Sequence, residues 1–151
     1  MIFRRATVAD IKEMFRVRMA VLENRLSDPA LVTDDICRAM LLDKGAGWVC
    51  EADGEVAGFA IVDLSQSNIW ALFVHPDSER KGIGKRLHDL MVSWSFENGQ
   101  VKLRLSTDPG TRAEAFYRQA GWRQTGVEAN GELRFELDRE SFKNGLGAGA
   151  V

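Results

Sequence analysis

Ile69-Trp-Ala-Leu-Phe-Val-His-Pro-Asp-Ser-Glu-Arg-Lys-Gly-Ile-Gly-Lys-Arg-Leu-His-Asp-Leu-Met91 contains two hydrophobic periods joined by a glycine-bearing turn. Ile69 to Val74 is apolar on both alternating faces, the pattern of a strand at the centre of a sheet covered on both sides. From Gly82 to Phe96 the period becomes helical, and Ile83, Leu87, Leu90, Met91 and Trp94 make one apolar stripe until Gly99 stops the helix. His88 falls off that stripe and is expected at the surface. Val101 to Leu105 then resumes strand character. A strand, a glycine turn, a helix and a second strand can set the two strands parallel through a right-handed crossover.

Working outward, residues 2 to 5 read as a short strand. Thr7 with Asp10 reads as a capping box opening a helix with Ile11, Met14, Phe15 and Leu22 at helical spacing. Pro29 interrupts the region, and a second helix is expected from about Thr33 to Leu42. Trp48 to Glu51 and Val56 to Val62 read as a hairpin around Asp53-Gly54. Late in the chain, Thr111 with Glu114 caps a short helix carrying Ala113, Phe116, Tyr117 and Ala120, and Gly121 ends it. Trp122 to Thr125 and Glu132 to Leu137 close a hairpin across Asn130-Gly131. The expected class is α/β (α+β), with a mixed, mostly antiparallel central sheet flanked by helices. Residues 1–140 are expected to form a single domain, and 141–151 a flexible C-terminal tail.

The 151 residues are 45% hydrophobic and 28% charged, an ordinary balance for one globular domain. A net charge of -2 lacks the cation excess that nucleic acid selects. No apolar run is long enough to span a membrane, and the first residues reach charges too early for a secretory segment, so a cytoplasmic location is expected. Cys37 and Cys50 have no metal-ligand spacing and read as packing residues; no metal is expected.

The turn itself carries the chemistry. Gly82 and Gly84 permit close approach to the backbone, and exposed amides at a helix start bind anions by hydrogen bonds and the helix dipole. Arg80, Lys81, Lys85 and Arg86 add positive charge, so a diphosphate is a fitting ligand. The segment has neither the GxxxxGK[ST] of a phosphate-binding loop nor the third glycine of a dinucleotide fingerprint. The plainer alternative gives both glycines a turn-and-cap role and leaves the cations solvated.

Residues 79 to 84, Glu-Arg-Lys-Gly-Ile-Gly, together with Ala113-Glu-Ala-Phe-Tyr-Arg-Gln-Ala-Gly-Trp122, resemble the GNAT superfamily of acyl-CoA-dependent N-acyltransferases over about residues 2 to 138. That family's cofactor motif is Q/R-x-x-G-x-G/A, and Glu79 stands at its first position here. The resemblance implies an N-acetyltransferase acting by direct attack on acetyl-CoA (coenzyme A), with the amides of Ile83, Gly84 and Lys85 on the diphosphate. It implies that coenzyme A runs between the central strand and the one beginning at Val101, with main-chain groups around Leu72, Phe73 and Val74 holding its amide arm.

Tyr117 takes the place of a tyrosine near the acyl-CoA sulfur, also meeting the cofactor, while its residue-level alternative is a core aromatic. Glu23 and His75 are the candidate bases, His75 for an intrinsic pKa near 6.5, with strand termination as its alternative role. Thr111 stands where related chains often carry a cofactor-contacting asparagine, and also reads as a helix cap. Asn24, Arg25, Trp70, Asp108 and Trp122 are acceptor-contact candidates; Asp108-Pro-Gly is equally a turn, and the tryptophans equally core. The acceptor is a small-molecule or peptide amine, and related folds often pair as homodimers. The competing function is a noncatalytic acyl-CoA-binding regulatory protein.

Overall fold

The computed structural model describes residues 1–22 and 32–149. The described chain forms two compact units, Met1–Ser95 and Phe96–Val151, each containing antiparallel strand pairs.

In the first unit, β1 (Ile2–Arg5), β2 (Gly45–Ala52), β3 (Glu55–Asp63) and β4 (Asn68–Val74) pair in that order. The β2–β3 turn places Asp53 and Gly54 at φ 54° and 79°, the left-handed pair that suits the twist of a two-residue hairpin. α1 (Ile11–Ala20) and α2 (Asp34–Ala39), which continues as a π-helical turn over Met40–Lys44, cover one face. There Ile11, Met14 and Val17 of α1 and Cys37 of α2 join Phe59 and Ile61 of β3 in one core. α3 (Ile83–Glu97) covers the other face of β3. Gly58 makes this possible, because a Cβ there would stand 3.1 Å from Ile83 Cγ2 and 3.2 Å from Leu87 Cδ1.

The start of α1 follows the expected residues. The Asp10 carboxylate accepts from the Thr7 N–H at 2.8 Å, and Arg4 donates to both its oxygens at 2.9 and 2.8 Å. The Arg4 hydrogen bonds hold the Asp10 carboxyl below its ordinary range, overcoming the opposing effect of burial.

Three expectations are corrected here. β3, rather than β4, is the strand buried along nearly its whole length, since α1 and α2 meet one of its faces and α3 the other. Leu22 lies past the end of α1 and is 72% exposed, while Val17 takes the inward position. His88 is 1% exposed, not at the surface, because it lies one helical turn from Met91 and Val92 on the buried side of α3. Its ring Nδ1 lies 2.8 Å from Asp89 Oδ1.

In the second unit, β5 (Lys102–Thr107) pairs with β7 (Leu133–Asp138), and β7 with β6 (Arg123–Val127). Leu103, Leu105, Phe135 and Leu137 form its buried side, with α4 (Arg112–Gln119) between β5 and β6 in the chain. Residues 139–149 form a further helix, α5 (Arg139–Gly149), where the sequence predicts a tail from 141. Asp138 Oδ1 accepts from the Ser141 N–H at 2.7 Å, and buried Phe142 meets Phe96 at 5.7 Å between centroids. A cap and one aromatic anchor thus support a segment whose glycines argue against a helix.

Candidate functional site

β4 runs straight into the turn. The His75 N–H donates to the Ala57 carbonyl at 2.8 Å, extending the ladder with β3. By the alternation of an antiparallel strand, the main-chain groups of Phe73 face β3, and those of Leu72 and Val74 face away from it. Phe73 therefore uses its backbone in the pairing with β3, whereas Leu72 and Val74 do not.

His75 then caps the short helical turn Pro76–Ser78, its Nδ1 accepting from the Asp77 N–H at 3.1 Å. That bond places the proton of a neutral ring on Nε2, so neither nitrogen is left as a free base. The geometry favours the strand-terminating role for His75.

Arg80 (φ 64°) and Gly82 (φ 79°) turn the chain into α3. The first helical bond runs from the Arg86 N–H to the Gly82 carbonyl at 3.1 Å, so the amides of Ile83, Gly84 and Lys85 have no acceptor within the helix. Among the described residues no side chain accepts from them either. Gly84 faces open space: a Cβ there would meet only Val74 Cγ2, at an ordinary 3.6 Å. The protein's own packing does not demand a glycine at 84.

Of the four nearby cations, Lys85 is paired with Asp89 at 2.8 Å and Arg86 lies over the Phe3 ring at 5.2 Å. Arg80 and Lys81 are exposed beside the amides. Burial raises the Asp89 carboxyl, but hydrogen bonds from His88 and Lys85 outweigh it and leave the group below its usual range.

In the second unit, Tyr117 is 7% exposed, edge-on to Phe116 at 5.3 Å and to Trp122 at 5.7 Å. Burial pushes its phenol well above the ordinary tyrosine value, so it stays protonated and can serve as a donor, not a base. Trp122 is 3% exposed and belongs to this aromatic packing. Asp108 is exposed, and its carbonyl accepts from the Thr111 hydroxyl at 2.9 Å. Thr111 Oγ1 also accepts from the Glu114 N–H at 3.2 Å, so its hydroxyl is engaged as a helix cap.

Glu23, Asn24 and Arg25 lie outside the described residues. Trp70 lines a cavity in the first unit together with Arg18. Arg18 and Gly58 are the two residues of consequence that sequence reasoning missed. For Gly58 a signal existed, a glycine inside an otherwise apolar strand. For Arg18 none did, since an arginine on an amphipathic helix ordinarily faces solvent.

The sequence model of the acetyltransferase (GNAT) family matches residues 9–122, which contain the open start of α3 and the Tyr117 helix. The chain belongs to that family. The fold agrees across solved GNAT-type structures. PaiA N-acetyltransferase from Thermoplasma acidophilum, solved with coenzyme A, matches at TM-score 0.78 and 13% identity, over 91% of this chain and 98% of that one. The ribosomal-protein-S18-alanine N-acetyltransferase of Escherichia coli matches at 0.74 and 15%, over 91% and 92%. An N-acetyltransferase from Staphylococcus aureus Mu50 matches at 0.74 and 20%, over 91% and 97%. The expected mixed α/β fold of acyl-CoA N-acyltransferases is therefore the fold of this GNAT chain. No described helix is long and apolar enough to cross a membrane. Among the described residues no cluster of three or more His, Cys, Asp or Glu could hold a metal ion.

Proposed function

We propose that this GNAT protein transfers an acetyl group from acetyl-CoA to a primary amine of a small molecule or peptide by direct attack, as a single cytoplasmic domain over residues 1–140. The observation that carries the reading is the open start of α3, with three amides lacking any internal acceptor and a glycine at 84 that packing does not require. These residues suit a diphosphate: Ile83, Gly84 and Lys85 would hold it by N–H donation, and Arg80 and Lys81 would add charge. The outward main-chain groups of Leu72 and Val74 would hold the amide arm of the same molecule.

When bound, acetyl-CoA supplies an acyl group already activated as a thioester. The Val74 N–H would be the donor for the acyl oxygen, where it would stabilise the negative charge that develops. Tyr117, kept protonated by burial, would donate to the departing sulfur. His75 holds the turn through Asp77. Glu23 is left as the residue to draw a proton from an acceptor ammonium.

Calorimetry with acetyl-CoA tests the first step, and an amine screen following free-thiol release, with product masses, tests the second. Tyr117→Phe should lower turnover about 100-fold while leaving acetyl-CoA affinity unchanged. Binding without transfer to any amine would replace this reading with the noncatalytic regulatory one.

A further inference from the structure

Beneath α1 lies a cavity of about 150 Å³ whose lining includes Phe15 and Arg18 of α1, Phe59 of β3, and Trp70 and Phe73 of β4. Among the described residues, Arg18 is the one charged side chain in that lining. Its Nη1 is buried and has no hydrogen-bond partner among the described residues, and its guanidinium sits 4.2 Å from the Phe73 ring centroid. Two other partly buried arginines of this unit are fully engaged by comparison. Arg4 binds Asp10 and Glu51, and Arg16 binds Glu13 at 3.0 Å and the Val56 carbonyl at 2.6 Å.

A buried donor left unmet is destabilising, because its desolvation is not offset. Burial also draws Arg18 below the ordinary arginine value, yet a guanidinium remains protonated. The aromatic ring compensates the charge over its face but gives the Nη1 hydrogens no acceptor. An anion would meet both the charge and the open donor. An apolar cavity of about this volume holds one six-membered ring, and the rest of the lining offers no hydroxyl or amide side chain to a sugar or a polar chain. A polyamine is repelled by the sole cation. A planar carboxylate matches the guanidinium fork.

We propose that this cavity binds a compact organic carboxylate, its apolar body against Phe15, Trp70 and Phe73 and its carboxylate on Arg18. Resting on the acetyl-transfer reading, that carboxylate is the body of the amine acceptor, which makes the substrate an amino acid-like molecule with a small apolar or aromatic side group.

Calorimetric titration of the full chain with phenylacetate and with benzyl alcohol, without acetyl-CoA, isolates the pocket. Phenylacetate should bind at least tenfold more tightly than its uncharged counterpart. Arg18→Met, which keeps the length of the side chain and removes the charge, should bring phenylacetate down to the benzyl alcohol level, and Arg18→Lys should retain part of the difference. Equal affinity of the two probes for the unaltered protein overturns the proposal, and so does full phenylacetate affinity in a folded Arg18→Met variant. If Arg18→Met does not fold, the two-probe comparison and Arg18→Lys decide. A parallel acetyl-CoA titration separates the claims. Acetyl-CoA binding without discrimination between the probes overturns the pocket alone, whereas discrimination without acetyl-CoA binding supports the pocket and overturns the transfer reading.

Discussion

α3 and α4 each follow a strand through a turn that contains both proline and glycine, yet the two helices begin in opposite ways. At α4 the chain closes its own helix: Thr111 takes the Glu114 N–H, and Glu114 Oε1 takes the Gly110 N–H at 2.8 Å. α2 and α5 are closed in the same manner by Thr33 and Asp138. At α3 the three orphan amides meet no side chain among the described residues, and the turn before them carries lysine and arginine. Helix starts closed by the chain's own side chains serve stability. One left open beside glycine and cations keeps its hydrogen-bonding capacity for something brought from outside.

The sharpest way to break that contrast is Gly84→Val. The first carbon of the new side chain meets only Val74 within the protein, so the melting temperature should change little, while acetyl-CoA affinity should fall about 100-fold, or ~2.7 kcal/mol. Undiminished affinity by calorimetry would show that nothing approaches this backbone closely.

The closed starts should respond in stability, not in binding. Asp10 at the start of α1 has a folded pKa below its unfolded value. Its contribution is therefore full above about pH 4 and is lost as the pH falls through the lower folded value. Asp10→Asn should cost about 2 kcal/mol at neutral pH and flatten the acid limb of a urea-denaturation series. A limb of unchanged slope would assign the acid sensitivity to other carboxylates. Thr111→Ala at α4 should cost about 1 kcal/mol in the same assay with acetyl-CoA affinity unaltered; a parallel loss of affinity would restore Thr111 as a cofactor contact. The smallest effect is expected at Glu79, an acid in the motif position of a glutamine or arginine. Glu79→Gln should tighten acetyl-CoA binding by about 0.5 kcal/mol at low salt, and a weakened complex would show that the carboxylate supports the turn.

Much of the fold was legible because its signals are local. Asp53-Gly54 and Asn130-Gly131 mark their hairpins through backbone conformations that few residues adopt. Thr33 and Thr111 mark helix starts by the reach of a hydroxyl to an amide three residues on. The glycine turn was legible for the same reason, since it lies between a change of hydrophobic period and its cations are contiguous. His88 was misjudged because periodicity reports which face of a helix is apolar, not how wide a face the neighbours cover. The reading of His75 as a base rested on its intrinsic pKa, and only the structure shows its Nδ1 accepting from the Asp77 N–H in the strand-terminating turn.

The sequence by itself determined the succession of strands and helices, the family and the glycine turn that opens α3, because each depends on residues adjacent in the chain and on backbone geometry. Tertiary structure alone decided that α1 and α2 cover one face of β3 and α3 the other, that Gly58 lets α3 approach it, and that Arg18 lines an aromatic cavity with its Nη1 unmet among the described residues. Those outcomes depend on which side chains from distant segments crowd one another, and burial of that kind is a property of the packed assembly, not of any window of sequence.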